Sequence, residues 1–428
     1  MKTNQGLLHI IKEGIYDTCY IWKEETKRLV KDEGVLLFCL VMPFVYPLLY
    51  SWIYNNEVVR EVPTAVVDFS KSSQSREFIR KCDASPDVRI AAYANSLADA
   101  QQLVHQQKVD GIYVIPSDFS TRINRLEQST IAVYTDMSIM LNYKAIYQTA
   151  VAVTGVMGNE IKIALAGNTT DRQDEITTAP LKVDGVSIFN PAGGYGSFII
   201  PAVLLLIIQQ LMLMGIGMSA GTAREENRYH NLVPMHPAYQ GVFRIVLGKG
   251  ACYYLVFAVW AAYLTIIIPR LFSFPALAMP RELLGLMIPY LAACVSFGLV
   301  ISCMIRYREN VMLLIIFMSI PLLFMSGISW PLSNIPGVWQ SVAYLFPSTF
   351  GIRAFVRINS MGASLEDVTY EYHMLWLQTA VYIIVACAVY RHQIILSRNS
   401  ARERIEYIHR KMAIRKKLKD RRIRMNSL

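Results

Sequence analysis

Long apolar runs bounded by charged or turn-forming residues set the pattern of this chain. The first extends from about Gly34 to Tyr54, long enough to cross a bilayer, and Pro43 and Pro47 predict a kink in it. Others follow at about Phe198–Met218, Ile245–Ile268, Leu283–Met304 and Val311–Met325, with a shorter one at Met374–Tyr390. The pattern predicts a polytopic α-helical membrane protein with six transmembrane helices. Ahead of them, Leu7, Leu8, Ile10, Ile11, Ile15, Ile21 and Trp22 recur at roughly helical spacing among charges. Residues 1–33 therefore read as an amphipathic helix lying on the membrane surface.

Between the first two runs the pattern changes. Over residues 55–190, strand-like pieces (Thr64–Phe69, Val88–Tyr93, Gly111–Ile115, Thr130–Thr135) alternate with helix-like ones (Ser73–Lys81, Leu97–Gln107, Asp118–Leu126, Met140–Ala166). Such alternation predicts a small α/β domain. Ser117 is the expected cap of the Asp118 helix.

A second irregularity lies near the end. Ser319–Arg353 is apolar, yet Pro321, Gly327, Pro331, Pro336, Gly337 and Pro347 interrupt it too often for one straight helix. Irregular backbone survives at membrane depth only when protein buries it or it lines a watery cavity. On residue types alone the stretch, with its core at 327–358, reads either as a re-entrant helical element that leaves on the side it entered or as an ordinary surface loop after a helix that ends near Gly327; the order of the parts along the chain favours the first. Gly327, Pro331, Pro336, Gly337 and Pro347 set its breaks, and Trp330 and Trp339 anchor it at the interface.

Composition agrees: of 428 residues, 54% are hydrophobic and only 17% charged, below the quarter or so usual in soluble domains. The net charge is +10, but the basic residues flank apolar runs, so nucleic acid is not the expected partner. Thirteen Lys/Arg lie between Arg391 and Arg424 and six in the leader. The turns after the second and fourth runs hold Arg224, Arg228, Arg244, Arg306 and Arg308. This asymmetry predicts both termini in the cytoplasm, residues 55–190 and the re-entrant element outside, and a basic cytoplasmic tail over 393–428 that is an orientation signal or a ligand for anionic lipid. No CxxC or CxxH spacing suggests a metal. Gly248-Lys249-Gly250 lacks the glycine and the hydroxyl of a phosphate loop, and Gly215-x-Gly217-x-x-x-Gly221 suits close helix packing. His105 stands alone, and Asn168-Thr169-Thr170 is a formal glycosylation sequon. No nucleophile–base pair and no convincing mid-span charge is seen, which argues against an enzyme and against ion-coupled transport.

The remaining candidate is the polar segment 219–244. Its charged helical piece, with Arg224, Glu225, Glu226 and Arg228, leads to an apolar turn with Leu232 and Pro234 and then to Lys249. It reads either as a cytoplasmic knob for docking another protein or as a solvated turn.

The order of these parts resembles the type 2 permease family of ABC exporters, in the branch with a large external α/β domain after the first span. The resemblance covers nearly the whole chain. Thr64–Ser70, Lys108–Phe119 and Ile131–Ser138 look like that branch's external domain, Ala223–Pro234 like the family's coupling segment, and Gly327–Pro347 like its external re-entrant helices. Arg228 and Asn231 depart from the family pattern, which carries a glycine and an apolar residue there. The resemblance implies a non-enzymatic permease subunit in the bacterial cytoplasmic membrane, paired with a second permease. ATP and Mg would be held by separate ATP-binding subunits and no cofactor by this chain, and a periplasmic adaptor is a further implied partner. The leader and residues 221–234 would receive the ATPase motion, spans two and five would line a conduit, and the re-entrant element would gate it. The alternative is a membrane-anchored external binding domain without transport.

Overall fold

The computed structural model describes residues 7–167, 170–181, 188–190, 193–226, 232–234 and 236–426. Arg228, Asn231 and the sequon residues Asn168 and Thr169 lie outside them. The chain divides into two compact units, Met1–Asn55 with Gly193–Leu428, and Asn56–Ala192. Most of the described chain is helical, and five helices are long and apolar enough to cross a membrane.

Helix α1 spans Leu7–Lys31. One face is covered by protein, with Ile21 and Leu29 buried, while Ile15, Tyr16, Trp22 and Val30 stay exposed. Asp32 ends it and caps the next helix, α2 (Glu33–Ile53), by accepting from the Gly34 and Val35 amides at 3.0 and 3.2 Å. Within α2 the residues Leu37–Val41 form a π turn just before Pro43. Proline cannot donate to the carbonyl four residues back. That carbonyl, on Cys39, instead accepts the indole N–H of Trp260 at 2.8 Å.

The second unit is a four-stranded sheet in the order β2-β1-β3-β4, built from β1 (Val62–Asp68), β2 (Val88–Tyr93), β3 (Gly111–Ile115) and β4 (Ala132–Thr135). The first three strands are parallel, and β4 runs antiparallel to β3. The helices are α3 (Ser73–Asp83), α4 (Leu97–His105), α5 (Phe119–Asn124), α6 (Met140–Ala166) and α7 (Asp171–Thr178). Side chains alternate between faces along a strand. Val62 and Val66 therefore join Phe78, Cys82, Tyr113, Ile146 and Val153 on one side, and Ala65 and Val67 join Ala100, Val109 and Ile112 on the other. Helix α5 starts one residue later than expected, and neither Ser117 nor Asp118 caps it. Asp118 instead pairs with Arg122 one turn on.

In the first unit, α8 (Tyr195–Glu226) is the most enclosed of the long apolar helices. It packs against α10 (Pro280–Ser302), α11 (Glu309–Met325) and α13 (Pro347–Met361), while α9 (Val242–Leu271) packs against α1. The expected close-packing role of the α8 glycines is visible. A Cβ on Gly215 would lie 2.2 Å from the Cys39 sulfur, and one on Gly221 would lie 2.7 Å from the Arg308 backbone. The first residues of the polar segment 219–244, through Glu226, form the last turns of α8. Helix α11 has 17 residues, the lower limit for a span. After α11 come a short helix, α12 (Gly337–Ala343), and then α13. The last helix, α14 (Thr369–Asn426), has 58 residues. The final run is thus far longer than its apolar core Met374–Tyr390, because no proline or glycine interrupts the chain between Thr369 and Asn426.

Candidate functional site

At the end of α8 two adjacent charges perform opposite capping tasks. Helix α10 ends at Ser302, and the amides of Cys303 and Met304 turn back onto its Val300 and Ile301 carbonyls; the carbonyls of the turn that follows are left to a side chain. The guanidinium of Arg224 donates to the carbonyls of Ile305 and, at 2.6 Å, of Cys303. A cation is favourable at that helix end. Beside it, Glu225 accepts the backbone N–H of Arg308 at 3.0 Å, at the start of α11. Together they staple the α10–α11 turn to α8.

This changes the reading of Arg224. Its side chain is only 8% exposed, so its guanidinium faces inward onto backbone carbonyls and is not presented for docking. Burying the charge costs desolvation energy, which the two carbonyls that accept its N–H groups offset. Glu225 and Glu226 are exposed, Pro234 is half-buried, and Leu232 is buried in the membrane-unit core. The neighbouring Val233 carbonyl accepts from Ser397 of α14 at 3.1 Å.

Asp32 joins the same place. Beyond capping α2, its carboxylate accepts from Thr222 at 2.7 Å and from Arg308 at 3.0 Å. A cleft of about 590 Å³ opens here, lined among others by Lys27, Arg28, Lys31, Asp32, Glu226 and Arg308.

A second, more buried polar cluster lies toward the N-terminal end of α9. Lys249 of α9 and Glu25 of α1, 3% and 2% exposed, form an ion pair at 2.8 Å. Ser219 and Tyr253 each donate to Glu25 at 3.1 Å. Burial raises the Glu25 pKa, but the charge and hydrogen bond of Lys249, with Arg28 and Ser219, outweigh it and hold the carboxyl below its ordinary range. Two further ties fasten α1 to α9: Asp17 with Arg244, and Thr26 with Cys252 at 3.4 Å. Tyr20 also stacks on His236, with ring centroids 4.9 Å apart. The leader is therefore keyed to a span by its polar groups. The sequence carried two signals of this. Glu25 falls on the same helical face as buried Ile21 and Leu29, and Lys249 interrupts an apolar run.

After α11 the chain breaks where proline and glycine interrupt it. Gly327 adopts φ +88°, a conformation that suits glycine, and a Cβ there would also lie 2.7 Å from Leu332. Pro331 precedes a single turn at Leu332–Asn334, and Pro336 precedes α12, whose first residue is Gly337. Pro347 opens α13, where the missing N–H costs nothing. Trp330 and Trp339 are both exposed.

The elbow between α12 and α13 has its backbone groups met from three helices. The Ser348 N–H, an orphan of the first turn of α13, donates to Gln209 Oε1 of α8 at 2.6 Å. This replaces the cap that Phe346 cannot supply. Gln378 of α14 donates to the Tyr344 carbonyl at 2.8 Å, and Tyr382 donates to the Leu345 carbonyl. Thr349 donates to the Ala343 carbonyl at 2.6 Å. Arg353 of α13 lies over the Tyr344 ring, 5.6 Å from its centroid, and reaches the Ser326 carbonyl at 3.3 Å. None of Gln209, Gln378 and Tyr382 stood out in the sequence, since an isolated polar residue in an apolar run names no partner.

Among the described residues no group of His, Cys, Asp and Glu is placed to hold a metal ion. The arrangement offers helix ends tied together by charge at one end of α11 and a clamped, broken helix at the other.

Residues 34–388 match the family model of the ABC-2 family transporter proteins, leaving the leader and the basic tail outside the match. The chain is 23% identical over 354 residues to the linearmycin resistance permease protein LnrN of Bacillus subtilis (strain 168), an alignment covering 76% of this chain and 87% of that protein. It is 19% identical over 376 residues to the probable multidrug ABC transporter permease YbhR of Escherichia coli (strain K12), covering 87% and 97% of the two chains. The chain belongs to the ABC-2 family of transporter proteins: it is a multi-pass permease subunit of an ABC transporter, working with separate ATP-binding subunits and not itself an enzyme.

Proposed function

We propose that this permease exports its substrate outward across the cytoplasmic membrane of a bacterium. In this reading α11 crosses as a fifth span of six: its 17 residues rise about 26 Å. An even number of spans keeps both termini on one side, and the Lys/Arg asymmetry assigns that side to the cytoplasm. The α/β unit is then external, as in the branch of the family that the sequence resembles, and is available to a periplasmic adaptor. A second permease, a copy or a relative, completes the conduit within surrounding lipid.

The observation that carries the reading is the charged staple at the α8 end. ATPase subunits docking at the cleft beside Glu226, and engaging Arg228, Leu232 and Pro234 of the chain that follows, would move α1, α8 and the α10–α11 turn together, because Asp32, Arg224, Glu225 and Arg308 bind them. The clamped element from Gly327 to Pro347, with Trp330, Pro331, Pro336 and Gly337, serves as the outer gate at the far end of α11. The relatives' names speak of linearmycin resistance and of a probable multidrug transporter, so drug-like amphiphiles are the proposed substrate class.

Everted membrane vesicles containing this chain and its ATP-binding partner provide the test. Adding ATP should drive uptake of a fluorescent amphiphile, and a non-hydrolysable analogue should not. Uptake of equal size in vesicles lacking this chain would overturn the proposal.

A further inference from the structure

The α/β unit carries a cleft that the permease function does not use. It lies between α3 and the carboxyl ends of the parallel strands β1 and β2, and encloses about 570 Å³. That is within the usual range for small-molecule sites, and the carboxyl ends of parallel strands are where open α/β sheets bind ligands.

Its lining has a definite chemistry. Lys71, Arg76 and Arg80 supply three cations, and Asp68 and Asp83 two carboxylates. Both acids are already occupied. Asp68 accepts the Ser70 and Lys71 amides and the Ser75 hydroxyl at 2.9, 3.0 and 2.7 Å, and Asp83 accepts the Ile90 amide at 2.8 Å. Among the described residues no carboxylate pairs with Lys71, Arg76 or Arg80. Their neighbour on α3, Lys81, differs: it pairs with Glu77 at 3.3 Å and Glu160 at 2.6 Å. Buried Val66 and Ile79 supply an apolar floor. Tyr93 lines one side while 71% exposed, an aromatic ring mostly open to solvent.

We propose that this cleft binds a small monocarboxylate carrying a planar apolar body. Three cations against two carboxylates leave one positive charge, which matches a single anionic group. The guanidinium forks of Arg76 and Arg80 suit a carboxylate, and Tyr93 offers a face for stacking. The site is independent of which way the permease moves its substrate.

The test uses the full chain in lipid nanodiscs, with 4-(trifluoromethyl)phenylacetate as probe and fluorine NMR as readout. The probe signal should broaden saturably, above the effect of empty nanodiscs. The double variant R76A/R80A should weaken binding at least tenfold, and Y93A several-fold. Acetate should compete poorly, and the neutral 2-[4-(trifluoromethyl)phenyl]ethanol should show no R76A/R80A-sensitive binding. Phenyl phosphate should compete less well than phenylacetate. The substituted side chains are exposed, so the variants keep the fold, which a circular dichroism spectrum verifies. Absence of saturable binding to the unsubstituted chain, or equal binding by R76A/R80A, would overturn the proposal.

Discussion

Replacing Glu25 with glutamine should destabilise the membrane unit by about 3–5 kcal/mol, the usual effect of stranding one partner of a buried ion pair. Lys249 would keep its charge at a site that is 3% exposed with no carboxylate to meet it. The apparent Tm of the purified permease should fall clearly, and α1 should exchange its amide hydrogens faster. The double variant E25Q/K249M removes both charges and should recover much of the loss, since a neutral pair leaves no uncompensated ion. If the pair also keys the leader to the span during the transport cycle, residual folded E25Q will hydrolyse ATP with its partner but move less substrate per ATP. A variant E25Q with unchanged Tm and unchanged exchange would show that the pair is not what holds α1.

Replacing Gln209 with leucine should loosen the elbow of the broken helix. The substitution leaves the Ser348 N–H, whose acceptor is Gln209 Oε1 at 2.6 Å, buried and unserved. That penalty is about 1–3 kcal/mol. Because Gln209 is fully buried, water cannot readily replace it. Hydrogen exchange in residues 343–350 should accelerate while exchange in the α/β unit stays the same, and substrate should leak without ATP if the elbow closes the conduit. Substituting Gln378 with leucine removes the donor to the Tyr344 carbonyl and should act in the same direction. Exchange at the elbow that is indifferent to both substitutions would refute the clamp.

Much of the fold was legible in the sequence because its signals are local. Pro116 closes the strand Gly111–Ile115, and the apolar pattern sets Met140–Ala166, both with the bounds expected. Prolines that cannot continue a helix mark the breaks at Pro331, Pro336 and Pro347. What escaped is tertiary. In the sequence Arg224 is the first charge after an apolar run and looks solvated. It faces inward because the turn after α10, about 80 residues later, presents carbonyls to it, and no local pattern encodes that. Asp32 carries no signal in the sequence that it would meet Thr222 and Arg308. The buried pair was half-visible, since Glu25 shares a helical face with Ile21 and Leu29 and Lys249 stands inside an apolar run. Either residue alone has an ordinary explanation; only together do they predict a contact. The length of α14 was also missed, because attention to apolar residues ends a helix at Tyr390 although its backbone has no reason to stop.

The central claim is that ATP-binding subunits dock at the charged end of α8 while the broken helix lies on the opposite side of the membrane. Site-directed cross-linking measures this directly. Single cysteines replace Glu226, which is exposed beside the cleft, or Asn334, which is exposed in the broken stretch, in a permease co-purified with its ATP-binding subunit. The account predicts that a short bifunctional reagent joins the Glu226 position to the ATP-binding subunit, and that the Asn334 position forms no such product while reacting with an impermeant thiol reagent added from outside. Cross-linking of the ATP-binding subunit to the Asn334 position, and none to the Glu226 position, would contradict it.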